Sequence, residues 1–166
     1  MISDNQKLQF LNELCEELNT HDFAGNYAVE RDLHTEIVRV VAAFCSAGPH
    51  RDDITAWDAD QWPDLVTKIN AFGRESRPDV CVNLDGTPFI AVEVKLLRDY
   101  WGLQRGIGQA VVDSVAYEYG IVFALDKRKP NPGKHQYDDE LTRSLWDNYR
   151  TRIVIRGHYV EQEPTQ

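Results

Sequence analysis

The sequence predicts a single α/β domain in which helices flank a mixed β-sheet. Apolar residues in the first quarter of the chain recur at helical spacing, β-rich runs begin near residue 77, and helical segments separate the later runs. With 166 residues, the chain can bury a core without disulfides or structural metals. We place the domain at residues 1–160, including an N-terminal helical extension at 1–28, and expect a frayed tail at 161–166.

The first half of the chain is predicted to be helical. One amphipathic helix covers residues 4–19, and a second runs from about Val29 to Phe44. The acidic stretch RDDITAWDADQW that follows is predicted to be an ordered loop. Pro63 is predicted to open a short helix that ends at Phe72, because proline is favoured in the first turn of a helix.

The second half alternates strands and helices. The strand-like runs RPDVCVNL and TPFIAVEVKLL flank an Asp-Gly pair, which is a hairpin signal. A helix from about Leu103 to Tyr119, the strand GIVFALD and the loop KRKPNPGKHQ come next. A helix over residues 138–149 and the strand RIVIRGH complete the predicted order.

Composition and charge limit the class of protein. No apolar stretch could span a bilayer and the N-terminus lacks a secretion signal, so we expect a cytoplasmic protein without membrane contact. The net charge of −9 argues at first sight against nucleic-acid binding. However, residues 1–64 hold 13 acidic and 4 basic residues, whereas residues 65–166 hold 14 of each. The acidity therefore belongs to the first part of the chain, and we expect its acids, apart from Glu30, to lie away from the site, toward solvent or a protein partner.

Glu93 and Lys95 lie in an otherwise apolar run, FIAVEVKLL, which is typical of a strand covered on both faces. Charged side chains are rarely buried there unless they are paired, because their removal from water is costly. We infer that these two charges face a ligand.

The turn of the predicted hairpin decides whether Asp79 lies on the same face of the sheet as Glu93 and Lys95. A two-residue turn would make Asp79 face away from Glu93. We favour a three-residue turn in which Asn83 faces Thr87 and Gly86 forms a left-handed bulge, because this turn places Asp79 on the face of both strand charges. Two carboxylates and a lysine at strand ends suit Mg²⁺ and a substrate phosphate. This chemistry is metal-assisted hydrolysis of a phosphodiester, in which a lysine orients or deprotonates the attacking water.

The stretch Pro78-Asp79, thirteen further residues and Glu93-Val94-Lys95 resembles the PD-(D/E)xK motif of the restriction-endonuclease-like nuclease superfamily. The predicted order of elements over residues 29–127 also resembles the αβββαβ core of that superfamily, provided that a third strand before the helix is short or hidden. The resemblance implies a restriction-endonuclease-like core. It further implies that Asp79, Glu93 and the Val94 carbonyl hold Mg²⁺, for which Mn²⁺ can substitute, and that Lys95 acts on the nucleophile.

Members of this superfamily often have a supporting Glu on the first core helix and a Gln on the helix after the motif. For the Glu we prefer Glu30, about 40° from the centre of the apolar stripe of its helix, to Glu36, about 80° away. For the Gln we prefer Gln109 to Gln104, and both choices stay open at this point. We assign His34 to the surface.

The resemblance implies a Mg²⁺-dependent endonuclease, a hydrolase whose partner is DNA. The alternative is a non-catalytic member of the same fold that binds nucleic acid or protein. Because no separate recognition domain is evident, a homodimer or a partner subunit would supply targeting. Arg98, Arg105 and the loop KRKPNPGKH are the candidate phosphate contacts. Trp101 and Tyr100, close after the motif, are the candidates for base stacking.

Overall fold

Four helices and seven strands make up the part of the chain that the computed structural model describes, namely residues 2–23, 25, 27–50, 52–71, 73–98, 101–127 and 139–156. The elements are α1 (Asp4–Thr20), α2 (Glu30–Ala47), β1 (Ile54–Asp58), β2 (Ile69–Ala71), β3 (Arg74–Ser76), β4 (Val80–Leu84), β5 (Thr87–Leu97), α3 (Trp101–Asp113), β6 (Tyr119–Asp126), α4 (Asp139–Tyr149) and β7 (Thr151–Ile155).

The main sheet has five strands in the order β1-β4-β5-β6-β7. β4 is antiparallel to both of its neighbours, β1 and β5, whereas β5, β6 and β7 run parallel to one another. β2 and β3 form a separate two-stranded ribbon. The prediction of a mixed sheet flanked by helices in a single domain is confirmed.

Helices cover both faces of the sheet. α1 and α2 pack on one face, where Leu14 and Ile37 belong to the same buried cluster as Val92 and Val94 of β5. α3 packs on the other face, against β5 and β6. Because side chains alternate along a strand, residues 91, 93, 95 and 97 of β5 point toward the α3 face. None of the described helices is both long and apolar enough to span a membrane.

Two predictions for residues 51–72 are wrong. The acidic stretch predicted to be a loop contains β1, an edge strand that pairs with β4. Ile54 of this strand is buried, whereas the next three side chains are at least partly exposed. Charged edge strands lack a clear apolar alternation. The described residues 63–71 contain no helix, and the chain instead enters β2, which is joined to β3 through Gly73 at φ 79°. Pro63 was equally compatible with a turn.

The predicted three-residue turn is also wrong. Leu84 pairs with Thr87 across a two-residue turn, in which Asp85 and Gly86 have φ values of 51° and 75°. Positive φ at both central residues is the signature of the type I′ hairpin.

A two-residue turn alone would make Asp79 face away from Glu93, but a β-bulge two residues beyond the turn shifts the register. Asn83 pairs with Pro88 and Val82 pairs with Ile90, so Phe89 is an extra residue in β5. Proline has no N–H for the ladder, and such residues occur at bulges. The register shifts by one, Val80 pairs with Val92, and the residue before Val80 comes opposite the residue after Val92. The bulge therefore places Asp79 opposite Glu93.

The remaining boundaries agree closely with the predictions, except that α3 ends at Asp113 and β6 begins at Tyr119. Tyr119 was predicted to end the helix, but the turn at residues 114–116 separates it from α3. α1 belongs to the same core as α2, since Leu11 and Leu18 are fully buried there. The predicted domain end at residue 160 and the frayed tail lie outside the described residues.

Candidate active site

β5 continues past the end of β4. The last pair between these strands is Val80 with Val92, whereas β5 continues along β6 as far as Leu97. Beyond Val92, the β4 side of β5 has no neighbouring strand in the described part of the chain. Its backbone N–H groups on that side therefore need other acceptors.

Two carboxylates take the place of the missing strand. The Val94 N–H donates to Asp79 Oδ2 at 2.7 Å, and the Leu96 N–H donates to Glu30 Oε2 at 3.0 Å. Asp79 immediately precedes β4, and Glu30 is the first residue of α2. The open edge of β5 thus draws together acids from two elements that lie far apart in the sequence.

The ammonium of Lys95 lies among these groups. Its Nζ is 3.0 Å from the Val94 carbonyl oxygen and 3.3 Å from Glu93 Oε2. It is also 3.5 Å from Asp79 Oδ2 and 3.8 Å from Glu30 Oε1. Only 11% of the Lys95 side chain is exposed, so these contacts form largely out of water.

α2 contains the two glutamates, Glu30 and Glu36, that the sequence left as alternatives for the site. Glu30 contacts Lys95, whereas Glu36 accepts a hydrogen bond from the Tyr27 hydroxyl and lies 3.4 Å from His21 Nε2. The structure therefore brings Glu30 to Lys95 and uses Glu36 to tie the entry of α2 to the end of α1.

Of the two glutamines of α3, only Gln109 lies at the site. Gln109, Lys95 and Glu30 line one open cleft, of about 460 Å³, and the side chain of Gln109 donates to the Arg77 carbonyl at 3.1 Å. Gln104 is exposed and does not line this cleft. Because Arg77 lies two residues before Asp79, Gln109 fastens α3 to the segment that carries the acid.

Asp113 is a buried member of the site that the sequence analysis missed. The Glu93 and Asp113 side chains are both 0% exposed, and their carboxyl groups interact directly. Ser76 Oγ donates to Asp113 Oδ1 at 3.5 Å, but Glu93 Oε1 and Asp113 Oδ2 have no donor among the described residues. Helical spacing could have revealed Asp113, which lies four residues after Gln109 and seven after Gly106 and so shares the inward face of α3.

Burial governs the charge of this pair. It raises the pKa of Glu93 to about 10, with the negative charge of Asp79 adding to the effect and Lys95 opposing it. It also raises the pKa of Asp113 to about 6. Two neighbouring buried carboxyls favour one shared proton, because two charges there would repel each other without solvent.

For Lys95, the neighbouring charges rather than burial decide the direction of the pKa shift. Burial acts to lower its pKa, but the carboxylates of Asp79, Glu93 and Glu30 together outweigh burial and raise it. Lys95 is therefore a cation at neutral pH in this arrangement. An ammonium can orient a water molecule or stabilise an anion, but it cannot accept a proton.

His34 also belongs to the site, contrary to its assignment to the surface. It is buried on α2, four residues after Glu30, and its Nε2 forms a 3.1 Å hydrogen bond with the carbonyl oxygen of Asp79. The same nitrogen is 3.6 Å from Asp58 Oδ1. Asp60 lines a second cleft next to Asp79. The expectation that the acids of residues 1–64, apart from Glu30, lie away from the site is therefore wrong for these two aspartates.

Arginines border both clefts. Arg98 and Arg105 line the cleft that contains Lys95, and Arg31 lines the neighbouring one. The guanidinium of Arg98 donates to the carbonyl oxygen of Ala28. Of the loop KRKPNPGKH, only Lys127 lies within the described residues.

The chemistry of the donors fits a hard divalent cation such as Mg²⁺. Carboxylate and carbonyl oxygens are its preferred protein ligands, and the buried Glu93 Oε1 accepts no hydrogen bond from any described residue. Three carboxyls, those of Glu30, Asp79 and Glu93, also surround a single ammonium. In the described ranges, however, no three His, Cys, Asp or Glu side chains form a ready cluster for a metal ion. To hold a cation, Asp79 and Glu93 would have to exchange their contacts with Lys95 for contacts with the metal.

Comparisons of the chain with models of known protein families, with curated proteins and with solved structures found no match.

Proposed function

We propose that this protein is a Mg²⁺-dependent deoxyribonuclease that hydrolyses phosphodiester bonds of DNA by a PD-(D/E)xK mechanism. The observation that carries the proposal is the open edge of β5, where the Asp79 carboxylate, the Val94 carbonyl and the Lys95 ammonium meet within 3.5 Å. Phosphoryl chemistry needs these three kinds of group at one point: oxygens for a metal, a cation for the developing charge and an opening for the substrate.

The proposed roles follow from the contacts. Asp79, Glu93, Glu30 and the carbonyl of Val94 would hold Mg²⁺, with Mn²⁺ able to substitute. When bound, Mg²⁺ supplies positive charge for the phosphate and makes a water molecule more acidic. Lys95 orients the attacking water and stabilises the charge that develops on the phosphate oxygens. Its raised pKa favours this role over that of a general base.

Gln109 and His34 act on the backbone around Asp79. Gln109 holds the carbonyl of Arg77, and His34 holds the carbonyl of Asp79 itself. Both contacts restrain the chain just before β4, and the Ala59 N–H adds a backbone hydrogen bond to the Asp79 carbonyl at 3.2 Å. They keep the Asp79 carboxylate aimed at the open edge of β5.

The order of elements supports a restriction-endonuclease-like core. The succession α2, β1, β4, β5, α3 and β6 has the αβββαβ order, with the β2–β3 ribbon inserted after β1. β1 supplies the third strand that was not evident from the sequence. The site lies on the second and third of these strands, where the motif would place it.

The alternative is a non-catalytic member of this fold that binds nucleic acid or protein. One observation favours it: Glu93 is fully buried and lines neither of the two clefts next to the site. The net charge of −9 also suits a basic protein partner.

Incubation with plasmid, linear, single-stranded and branched DNA in Mg²⁺ or Mn²⁺ tests the proposal. We expect cleavage of at least one form, its loss in Asp79→Ala, and its retention in Glu36→Ala, which changes an acid outside the site on the same helix. Calorimetric titration of Mn²⁺ should show binding that Asp79→Ala removes. If all forms stay intact and no metal binds, the non-catalytic alternative is favoured.

A further inference from the structure

The cleft beside Lys95 combines exposed apolar side chains with cations. Val29 lines the cleft and is 52% exposed, and Trp101, the first residue of α3, is 69% exposed. Arg98 and Arg105 line the same cleft. An exposed indole beside arginines offers a flat surface on which a nucleobase can stack.

Trp101 does not itself line this cleft, but helix geometry places it beside residues that do. At 100° per residue, Arg105 is about 40° and Gln109 about 80° from Trp101 around the axis of α3. Both Arg105 and Gln109 line the cleft, whereas Gln104, about 60° away in the opposite direction, does not. The Trp101 side chain therefore stands on the cleft side of the first turn, one turn from Arg105.

We propose that Trp101 is a stacking platform for an unpaired base, so that the site takes a single-stranded segment of DNA. This inference rests on the proposed function and names its substrate class. Arg98 and Arg105 contact the phosphates that flank this base. A base within a duplex hides both of its faces in the stack, and only an unpaired base can offer one to the indole.

The charges favour a nucleic acid as the occupant of this cleft. The first turn of α3 contains no acidic residue. In the described part of the chain, the Arg105 side chain forms no ion pair or hydrogen bond. An arginine without a carboxylate partner beside an exposed aromatic ring matches alternating phosphates and bases better than it matches an acidic peptide.

The test compares oligothymidylate with an abasic oligonucleotide of the same length, which keeps the phosphates and lacks the bases. Fluorescence anisotropy in EDTA, repeated in Ca²⁺, measures both affinities without Mg²⁺-supported cleavage. Wild type should bind oligothymidylate about tenfold more tightly than the abasic strand. Trp101→Ala should bring this ratio close to one, Trp101→Phe should restore most of it, and the matched control Gln104→Ala should leave it unchanged.

Arg105→Ala should weaken the binding of oligothymidylate and of the abasic oligonucleotide by a similar factor, because the proposal assigns Arg105 to a phosphate, which both oligonucleotides contain. Thermal melts confirm that each variant is folded. If Trp101→Ala keeps the wild-type ratio, the stacking proposal is overturned even where DNA is cleaved. If the ratio depends on Trp101 but no DNA is ever cut with Mg²⁺ or Mn²⁺, stacking stands and the nuclease proposal fails. If neither oligonucleotide binds at low salt, the stacking proposal is overturned, while the cleavage assay still decides the proposed function.

Discussion

Gly106 of α3 lies directly against the side chain of Lys95. A Cβ atom at this glycine would come within 2.9 Å of Lys95 Cγ and within 3.1 Å of Val122 Cγ1. The helix can approach β5 this closely because glycine has no side chain. The aliphatic part of Lys95 is thereby confined, and its ammonium is directed at the acids of the open edge.

Gly106→Ala should therefore impair the site without touching its charged groups. We expect the added methyl group to displace Lys95, to lower the free energy of unfolding by about 1–2 kcal/mol and to slow cleavage roughly tenfold or more. Gly108→Ala is the matched control, because a Cβ there meets nothing within 4 Å. It should keep full activity and gain up to about 1 kcal/mol from helix propensity. Urea unfolding and initial cleavage rates measure both, and equal rates in the two variants would contradict the role of this contact.

Lys95→Met should separate metal binding from catalysis. The substitution keeps most of the aliphatic chain that packs on Gly106 but removes the ammonium, so cleavage should fall by about 10²-fold or more. Mn²⁺ binding, measured by calorimetry, should persist because the acids that Lys95 contacts are released. Asp79→Ala should lose both properties. Wild-type rates in Lys95→Met would refute the mechanism.

The buried carboxyl pair predicts how stability depends on pH in metal-free buffer. The pKa values of Asp113 and Glu93 rise from 3.8 to about 6 and from 4.5 to about 10. The folded state thus retains protons that the unfolded chain releases. The contribution of this pair to the free energy of unfolding is therefore fully present below the ordinary pKa values and is lost as the pH rises through about 6 and on toward 10.

Asp113→Asn should reduce this loss, since the amide is neutral at every pH. We expect the variant to be more stable than wild type by about 1–3 kcal/mol at alkaline pH in EDTA, with a smaller difference at acid pH. Glu75→Gln, which changes an exposed carboxyl, should leave the pH profile of wild type unaltered. Urea unfolding across the pH range provides the measurement, and parallel profiles for Asp113→Asn and wild type would rule out the carboxyl pair as the cause.

Salt dependence should reveal which cations contact phosphate. Each phosphate contact contributes about 0.9 to the slope of log affinity against log salt for duplex DNA and about 0.7 for single strands. Replacing Arg98 and Arg105 together by Gln should therefore lower the slope by roughly 1 to 2. Neutralising Lys127, Arg128 and Lys129 in the same assay decides whether their loop adds further contacts. An unchanged slope in both variants would exclude both groups.

Local patterns predicted the elements that form the site, because the motif lies on strands and helices with strong periodicity. Such patterns could not predict that Asp79 comes directly opposite Glu93. It depends on a bulge at Phe89, whereas turn chemistry alone left two registers open. Asp113 was missed for a similar reason: only the packing of α3 on β5 brings it to Glu93. β1 was missed because its pairing with β4, rather than its own sequence, makes it a strand.

The open edge of β5 has a consequence for self-association. Unpaired N–H groups on a strand invite an extended segment of another molecule, which is how sheets join into aggregates. Here the carboxylates of Asp79 and Glu30 occupy the N–H groups of Val94 and Leu96 and surround the edge with negative charge. The residues proposed to serve hydrolysis thus also block strand pairing at this edge, so we expect removal of both acids to leave two N–H groups open to a strand of a second copy.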